Sequence, residues 1–469
     1  MKSRLLFLSL VIFLSSAISA IAGLKSHQSA DIVLGQPDFE TSAGNLSQTG
    51  FQSVGDVAVD PTTGKVFVSD TSNSRVLRFA SSASLSSGDP AEAVLGQMDF
   101  ITDDATSLAD NRFSNPAGIY VDPAGRLWVA DRINHRVLRF DNASSKTNGA
   151  AADGVLGQID FDSSNTSSAA NGMLSPIAVT GDASGTLWVA DRDNNRVLRF
   201  DNAAGKADGA IANGVLGQSM TTGGTGGLAV NKMSSPSALA VDADGTLWVA
   251  DAINNRVLRF DNAAGRADGA NADGVLGQAD FDSGDPGLDD SGFNYMEGID
   301  VDSTGFLYVS DIGNHRILGF SNASTKADGA AAELVLGQPD FETNAVNVTA
   351  SGLTSPRGIG LDAQGRLYVA DGSAARVLRF SPSGKPILRT KTRITTRRST
   401  VTLRGTAASE LGIARVQVKA GRGGFKNARG TTRWKFRVRR LTSRVTRANV
   451  RATAVDNTRT QKVVRIRRK

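Results

Sequence analysis

Residues 127–141 read Leu-Trp-Val-Ala-Asp-Arg-Ile-Asn-His-Arg-Val-Leu-Arg-Phe-Asp, and the same phrase returns at 187–201 and 247–261 with changes at only two positions in each. The aspartate that closes its first half recurs six times, as Asp70, Asp131, Asp191, Asp251, Asp311 and Asp371. These are spaced by 61 and then four times by 60 residues. A second phrase, Val-Leu-Gly-Gln, also occurs six times, with its glycine at Gly35, Gly96, Gly157, Gly217, Gly277 and Gly337. A fixed period of this length is the mark of a repeat architecture, in which each repeat buries its apolar faces against its neighbours.

Working outward from 127–141, one period holds four short strand signals. Strand a is expected at Gly118 to Val121, followed by the turn Asp122-Pro123-Ala124-Gly125. Strand b follows at Leu127 to Ala130, strand c at Arg136 to Phe140 and strand d at Val155 to Gly157. Val, Leu, Ile and aromatics fill both alternating faces, as in sheets covered on both sides. Four short strands per unit arranged radially make a β-propeller. The array begins with a lone strand d, Ile32 to Gly35, and ends after Phe380 with a, b and c but no d. The N-terminal strand is therefore expected to complete the last of six blades, which removes two exposed sheet edges.

These phrases resemble the NHL repeat, a resemblance carried by Asp311-Ile312-Gly313-Asn314-His315-Arg316-Ile317 and by Asp131 with Asn134-His135-Arg136-Val137. It extends over residues 31–380. Blade 6 departs from it with Ala374 in place of the asparagine, and blade 4 with Ser219-Met220 and a glycine-rich loop after Val-Leu-Gly-Gln. The repeated Asp, Asn and Arg are read as structural, because a catalytic group is needed once and not six times. The Asp is expected to accept N–H groups of the b–c turn, the Asn to bridge that turn, and the Arg to pair with a blade carboxylate. Trp128, Trp188 and Trp248 share one repeat position and are expected to pack between blades.

The ends of the chain differ from the repeats. Lys2 and Arg4 precede an apolar run from Leu5 to Leu14, and Ala20-Ile21-Ala22 offers a cleavage site. This reads as a secretory signal over residues 1–22, cut after Ala22 or alternatively Ala20, and not as a spanning anchor, for which the run is too short. The expected location is outside the cytoplasm: periplasmic, cell-surface or secreted, in a bacterial setting. The chain has no cysteine, so disulfides, thiolate metal sites and thiol nucleophiles are excluded.

Net charge +6 conceals a division. Residues 385–469 hold 26 Lys or Arg against Glu410 and Asp456, a net of +24, whereas the preceding part carries −18. After a linker at 381–386, residues 387–469 show strand alternation and resemble a bacterial immunoglobulin-like sandwich. Trp434 and Phe436 alternate there with Arg433, Lys435 and Arg437, placing aromatics inward and cations outward. The expected fold is thus all-β, a six-bladed propeller over residues 23–380 followed by a small sandwich.

Candidate site residues lie where the six copies differ. The b–c and d–a loops are expected on one end of the ring, with strand a starting there at Gly55, Ala117, Ile177, Ser237, Glu297 and Arg357. One variable position inward stand Ala58, Tyr120, Thr180, Ala240, Asp300 and Gly360. Tyr120, Glu297, Asp300 and Arg357 are accordingly the candidate ligand-binding residues, with Glu297 and Arg357 also able to pair as neighbours. The d–a loop from Thr221 to Met233 is a candidate flap over them. No catalytic residue, cofactor or metal site is assigned. His27 precedes the array, and His135 and His315 fall in opposite blades, too far apart to share an ion.

The first reading is a monomeric exported binding module. Its ligand is a protein or carbohydrate on the b–c/d–a face, and its basic domain attaches to anionic surface polymer. The alternative is a lactonase-like hydrolase or lyase with a metal-dependent carboxylate site near Glu297 and Asp300. Nucleic acid is not an expected partner, since the propeller is acidic and no recognition motif appears.

Overall fold

The computed structural model of the chain describes residues 23–218 and 224–382 and, beyond them, eight strands between 387 and 468. Outside the described residues lie the 1–22 leader, the Ser219-Met220 departure, Thr221 to Gly223 of the candidate flap, and linker residues 383–386. Contacts divide the chain into two compact units, one of them Leu24–Pro382.

Leu24–Pro382 is a six-bladed β-propeller. Blade 2 shows the plan: Pro116–Val121, Leu127–Asp131, Arg136–Phe140 and Gly154–Leu156 form strands a to d of one antiparallel sheet. Each strand a touches strand a of the next blade, and Pro356–Leu361 of blade 6 returns to Val54–Val59 of blade 1. Blade 6 is completed by Ile32–Leu34, paired antiparallel with Arg376–Phe380 through Ile32 opposite Arg379 and Leu34 opposite Val377. The closure expected from the missing strands is what the chain adopts.

Local chemistry explains each repeated phrase. In the a–b turn, Asp122 Oδ1 accepts the N–H of Ala124 and Arg126, an Asx turn that Gly125 completes at φ +77°. The glycine of Val-Leu-Gly-Gln sits at φ +84° to +89° in all six copies. The glutamine after it stitches the blade together: Gln158 Nε2 donates to His135 O at 3.0 Å and to Asn165 O at 2.9 Å.

The tryptophans pack between blades as expected. Trp128 joins Val179 and Leu187 of blade 3, Trp188 joins Val249 of blade 4, and Trp248 joins Val309 of blade 5. All three are at most 2% exposed. Burying such a ring removes about 150–250 Å² of surface, so these contacts dominate the blade interfaces.

The outer edge of each blade is also covered. Val275 N donates to Asp328 Oδ1 of the next blade's c–d loop, and Gly329 N donates to Val275 O. For the blade 5 edge at Val335, Ser26 and His27 supply this cap. Val335 N donates to Ser26 Oγ, and His27 N donates to Val335 O at 3.0 Å. His27 takes φ +62°, the conformation that Gly329 takes at +66°. The N-terminal segment thus replaces a loop as well as a strand, protecting an edge that would otherwise invite pairing.

The second unit contains two sheets, the layer count of a sandwich. One has the order Ile387–Thr390, Val401–Ala408, Arg433–Val438. The other has the order Arg393–Thr396, Arg459–Arg468, Arg447–Ala454, Ile413–Ala420, Lys426–Asn427. Pairing is antiparallel except between Arg393–Thr396 and Arg459–Arg468, which run parallel. The side chains of Trp434 and Phe436 lie outside the described residues. Among the described residues no helix is long and apolar enough to cross a membrane.

Candidate functional site

Strand register decides which loops share a face. The first residue of strand a stands opposite the last of strand b, as in Pro116 with Asp131 and Met296 with Asp311. The b–c turns and d–a loops therefore meet at one end of the ring. A 370 Å³ cavity runs down the axis from that mouth, walled by the six a strands. Small residues let these strands converge; a Cβ on Gly118 would lie 2.6 Å from Ile177 O of the next blade.

The repeated Asp, Asn and Arg are structural, with one correction to their partners. Asp131 Oδ1 accepts Ser114 N, in the d–a loop seventeen residues earlier, and not an N–H of the b–c turn. The reason is the register just described, which lays that loop against the end of strand b. Oδ2 accepts from Asn134 Nδ2 at 2.9 Å and from Arg136 Nε at 2.7 Å. Arg136, fully buried, spends its remaining donors on carbonyls at Ala109, Arg112 and Phe161.

His135 and His315 are also inter-blade fittings. They occupy the left-handed position that closes the b–c turn, at φ +53° and +54°, which Asn195 and Asn255 fill in blades 3 and 4. His135 Nδ1 accepts Ser175 N of blade 3 at 3.1 Å, as Asn195 Oδ1 accepts Ser235 N of blade 4 at 2.9 Å. Burial lowers the His135 pKa, while Asp193 opposes the shift. A protonated Nδ1 cannot accept the Ser175 N–H. Because the folded-state value is depressed, the unfolded chain binds the proton first as pH drops below about 6.5, and stability falls. His135→Asn is expected to melt like the parent at pH 8 and above it by a few degrees at pH 5.5. Identical pH profiles for the two proteins in thermal melts would refute this account.

The candidate residues separate into two levels. At the mouth, Arg357 Nε and Glu297 Oε2 lie 3.7 Å apart, an ion pair between adjacent blades. Gly372 makes room for it, since a Cβ there would stand 2.8 Å from Arg357 Nε. Deeper in the channel, Tyr120 donates its hydroxyl to Gly181 O of blade 3 at 2.8 Å. Asp300 accepts Val301 N at 2.8 Å and Leu361 N of blade 6 at 2.7 Å. Tyr120 and Asp300 thus brace neighbouring blades as well as facing the channel.

Three further residues escaped the sequence reading. Asp56, at a strand a position where the other blades carry Gly118, Ala178, Ala238, Gly298 and Gly358, accepts Val57 N and Ile119 N of blade 2. Burial raises both Asp56 and Asp300 to about 7, against the pull of those N–H groups, and the Asp300 charge raises Asp56 further. Both carboxylates remain partly open to the channel, whose narrow lumen is a poor substitute for bulk water. Arg132 and Arg192 open the b–c turns of blades 2 and 3, where blades 1, 4, 5 and 6 carry Thr71, Ala252, Ile312 and Gly372. Arg192 Nη2 donates to Tyr295 Oη of blade 5 at 2.9 Å, spanning blade 4. Burial and Glu297 raise the Tyr295 pKa, while Arg192 and Arg132 oppose them. The same symmetry test that singled out Glu297 would have found all three.

In chemical terms the mouth offers guanidinium donors, one carboxylate and a phenol above a channel with two protonatable carboxyls. Among the described residues no group of three or more His, Asp or Glu assembles into a metal site. Glu297 and Asp300 are engaged separately, the first by Arg357 and the second by backbone.

Residues 113–140 and 293–320 match the profile of the NHL repeat. NHL repeat-containing protein 3 of Homo sapiens is 30% identical, and that of Mus musculus 32%, over 111 residues. The match covers 23% of this chain and 28% of each relative, so the chain spans little more than a quarter of their length. Among solved structures, a gluconolactonase of Xanthomonas campestris is similar with TM-score 0.43 and 15% identity, over 76% of this chain and 96% of that one. A streptogramin B lyase is similar with TM-score 0.41 and 13% identity, over 72% and 95%.

Proposed function

We propose that the protein is an exported NHL-type propeller that recognises a ligand at the mouth formed by its b–c and d–a loops. One observation supports this above others: the ring's symmetry is broken at that mouth, by Arg132, Arg192, Tyr295, Glu297 and Arg357, while the opposite face repeats. There the c–d loops read Asp201-Asn202-Ala203-Ala204-Gly205 and Asp261-Asn262-Ala263-Ala264-Gly265. Structural duty recurs with the fold, whereas a ligand touches each blade differently. Ligand-observed NMR of the intact protein against a chemically diverse small-molecule library tests it. Hits are expected to change at least tenfold in affinity in Glu297→Ala and in Arg357→Ala, with Tm almost unmoved, because a part-exposed pair contributes at most about 1 kcal/mol. Hits indifferent to both changes would place recognition elsewhere.

A second reading, a hydrolase or lyase, is favoured by Asp56 and Asp300. A carboxyl titrating near neutrality inside a cavity is what a general acid requires. Conversion of any hit during the NMR time course, lost in Asp300→Asn, would establish it.

The second unit is read as an immunoglobulin-like module that holds the protein to anionic polymer at the cell surface. The support is its net charge of +24 beside an N-terminal part of −18. The full chain is expected to stay on heparin and elute with rising salt, while a chain ending at Pro382 flows through. Equal retention of both would remove this role.

A further inference from the structure

Three arginines of an otherwise acidic propeller converge on one mouth. Arg132 belongs to the channel wall together with Glu297 and Arg357, and Arg192 reaches the same place through Tyr295. Only one carboxylate, Glu297, is committed there, at 3.7 Å from Arg357, and the nearest to Arg192 is the exposed Asp193 at 4.0 Å. Arg132 has no carboxylate within 4.0 Å and no hydrogen bond among the described residues.

The donors facing this mouth are short of acceptors. Arg132, Arg192 and Arg357 each have an Nε shielded from solvent and without a hydrogen bond. Arg78, Arg112, Arg139 and Arg259 share that feature, but each of them, like Arg192 and Arg357, has a carboxylate within 4.0 Å; among the described residues Arg132 alone of the seven has none. Unmet hydrogen-bonding capacity in a closed site is costly, and a fitting ligand recovers that cost. Below the mouth the wall mixes the aliphatic Ile177, Val179 and Leu239 with Tyr120, Asp56 and Asp300, the two carboxyls disfavouring a second negative charge on whatever enters.

We infer that the mouth binds the carboxylate of a small organic acid, held by Arg132 with help from Arg192 and Arg357, its aliphatic body entering the channel. This deepens the recognition reading above and rests on it. A planar guanidinium matches a carboxylate through two parallel N–H bonds, which a lysine cannot reproduce. Glu297 is a specificity element: it neutralises Arg357 in part and so disfavours ligands with several negative charges.

Isothermal titration of the intact protein with hexanoate, and with its neutral isostere hexanamide, tests the assignment. Hexanoate is expected to bind at least tenfold more tightly than hexanamide, and Arg132→Met to abolish that preference. Arg132→Lys should restore less than a third of the affinity. Circular dichroism melts of the variants must match the parent, and Arg199→Met, on a c strand outside the channel wall, serves as the control that leaves binding unchanged. Equal binding of acid and amide, or a preference that survives Arg132→Met, overturns the carboxylate assignment. In that case hits that still depend on Glu297 and Arg357 leave the recognition reading standing, whereas a mouth that binds neither probe nor any library compound sinks both.

Discussion

Removing residues 23–36 unfolds the whole propeller. Ile32, Val33 and Leu34 are 6%, 0% and 1% exposed, and they form the outer strand of blade 6. Each buried aliphatic side chain contributes about 1.5–3 kcal/mol, so these three alone are comparable to the ~5–15 kcal/mol that separates a folded domain from its unfolded chain. The deletion also removes Gln36, whose Nε2 donates to Ala375 O at 2.9 Å, and Asp31, which pairs with Arg379. It uncovers the blade 5 edge at Val335 as well. Blade 6 is then a three-stranded sheet beside an open ring. Calorimetry is expected to show no cooperative transition near the parent Tm, with aggregation at micromolar concentration. A truncated protein melting within a few degrees of the parent would show that the N-terminal strand is dispensable and the ring closed by other means.

The second large effect lies in the buried pairs. Asp191 and Arg196 are 2.7 Å apart with both side chains fully enclosed. Arg196→Met leaves a carboxylate in the core with Asn194 and Leu174 N as its remaining partners. Breaking such a pair on one side costs about 3–5 kcal/mol. It also frees the d–a loop, because Arg196 Nη2 holds Ala169 O and Gly172 O at 2.9 and 3.1 Å. Asp191→Leu should cost a similar amount, and the double change much less than the sum, since the uncompensated charge is then absent. By contrast, the Arg199–Asp201 pair at 2.9 Å, with the carboxylate 48% exposed, should change stability by at most about 1 kcal/mol when either partner is removed. Denaturant unfolding of the five variants measures this. Additive losses at Asp191 and Arg196 would mean that the two groups act independently, contrary to the geometry.

The period of 60, the four strands per repeat and the unpaired strand at each end of the array are properties of the sequence alone, and they sufficed for the six-bladed ring and its closure. They are legible because a blade is built from contacts within about thirty residues: alternating apolar faces, Asx turns, and glycines at positive φ. The roles of Trp128, Trp188 and Trp248 followed from the same repetition. So did the adjacency of Glu297 and Arg357, since equal repeat positions in neighbouring blades must lie side by side. The partner of Asp131 was misjudged because the a–b register, not chain proximity, brings Ser114 to it. Asp56 was passed over because it lies between the two strand a positions compared, those of Gly55 and Ala58, at a place where the other five blades carry only Gly or Ala. The reach of Arg192 across blade 4 to Tyr295, and the shortage of acceptors around Arg132, were decided only in three dimensions. Such contacts depend on the radius of the closed ring and the length of each side chain, quantities that no single repeat contains.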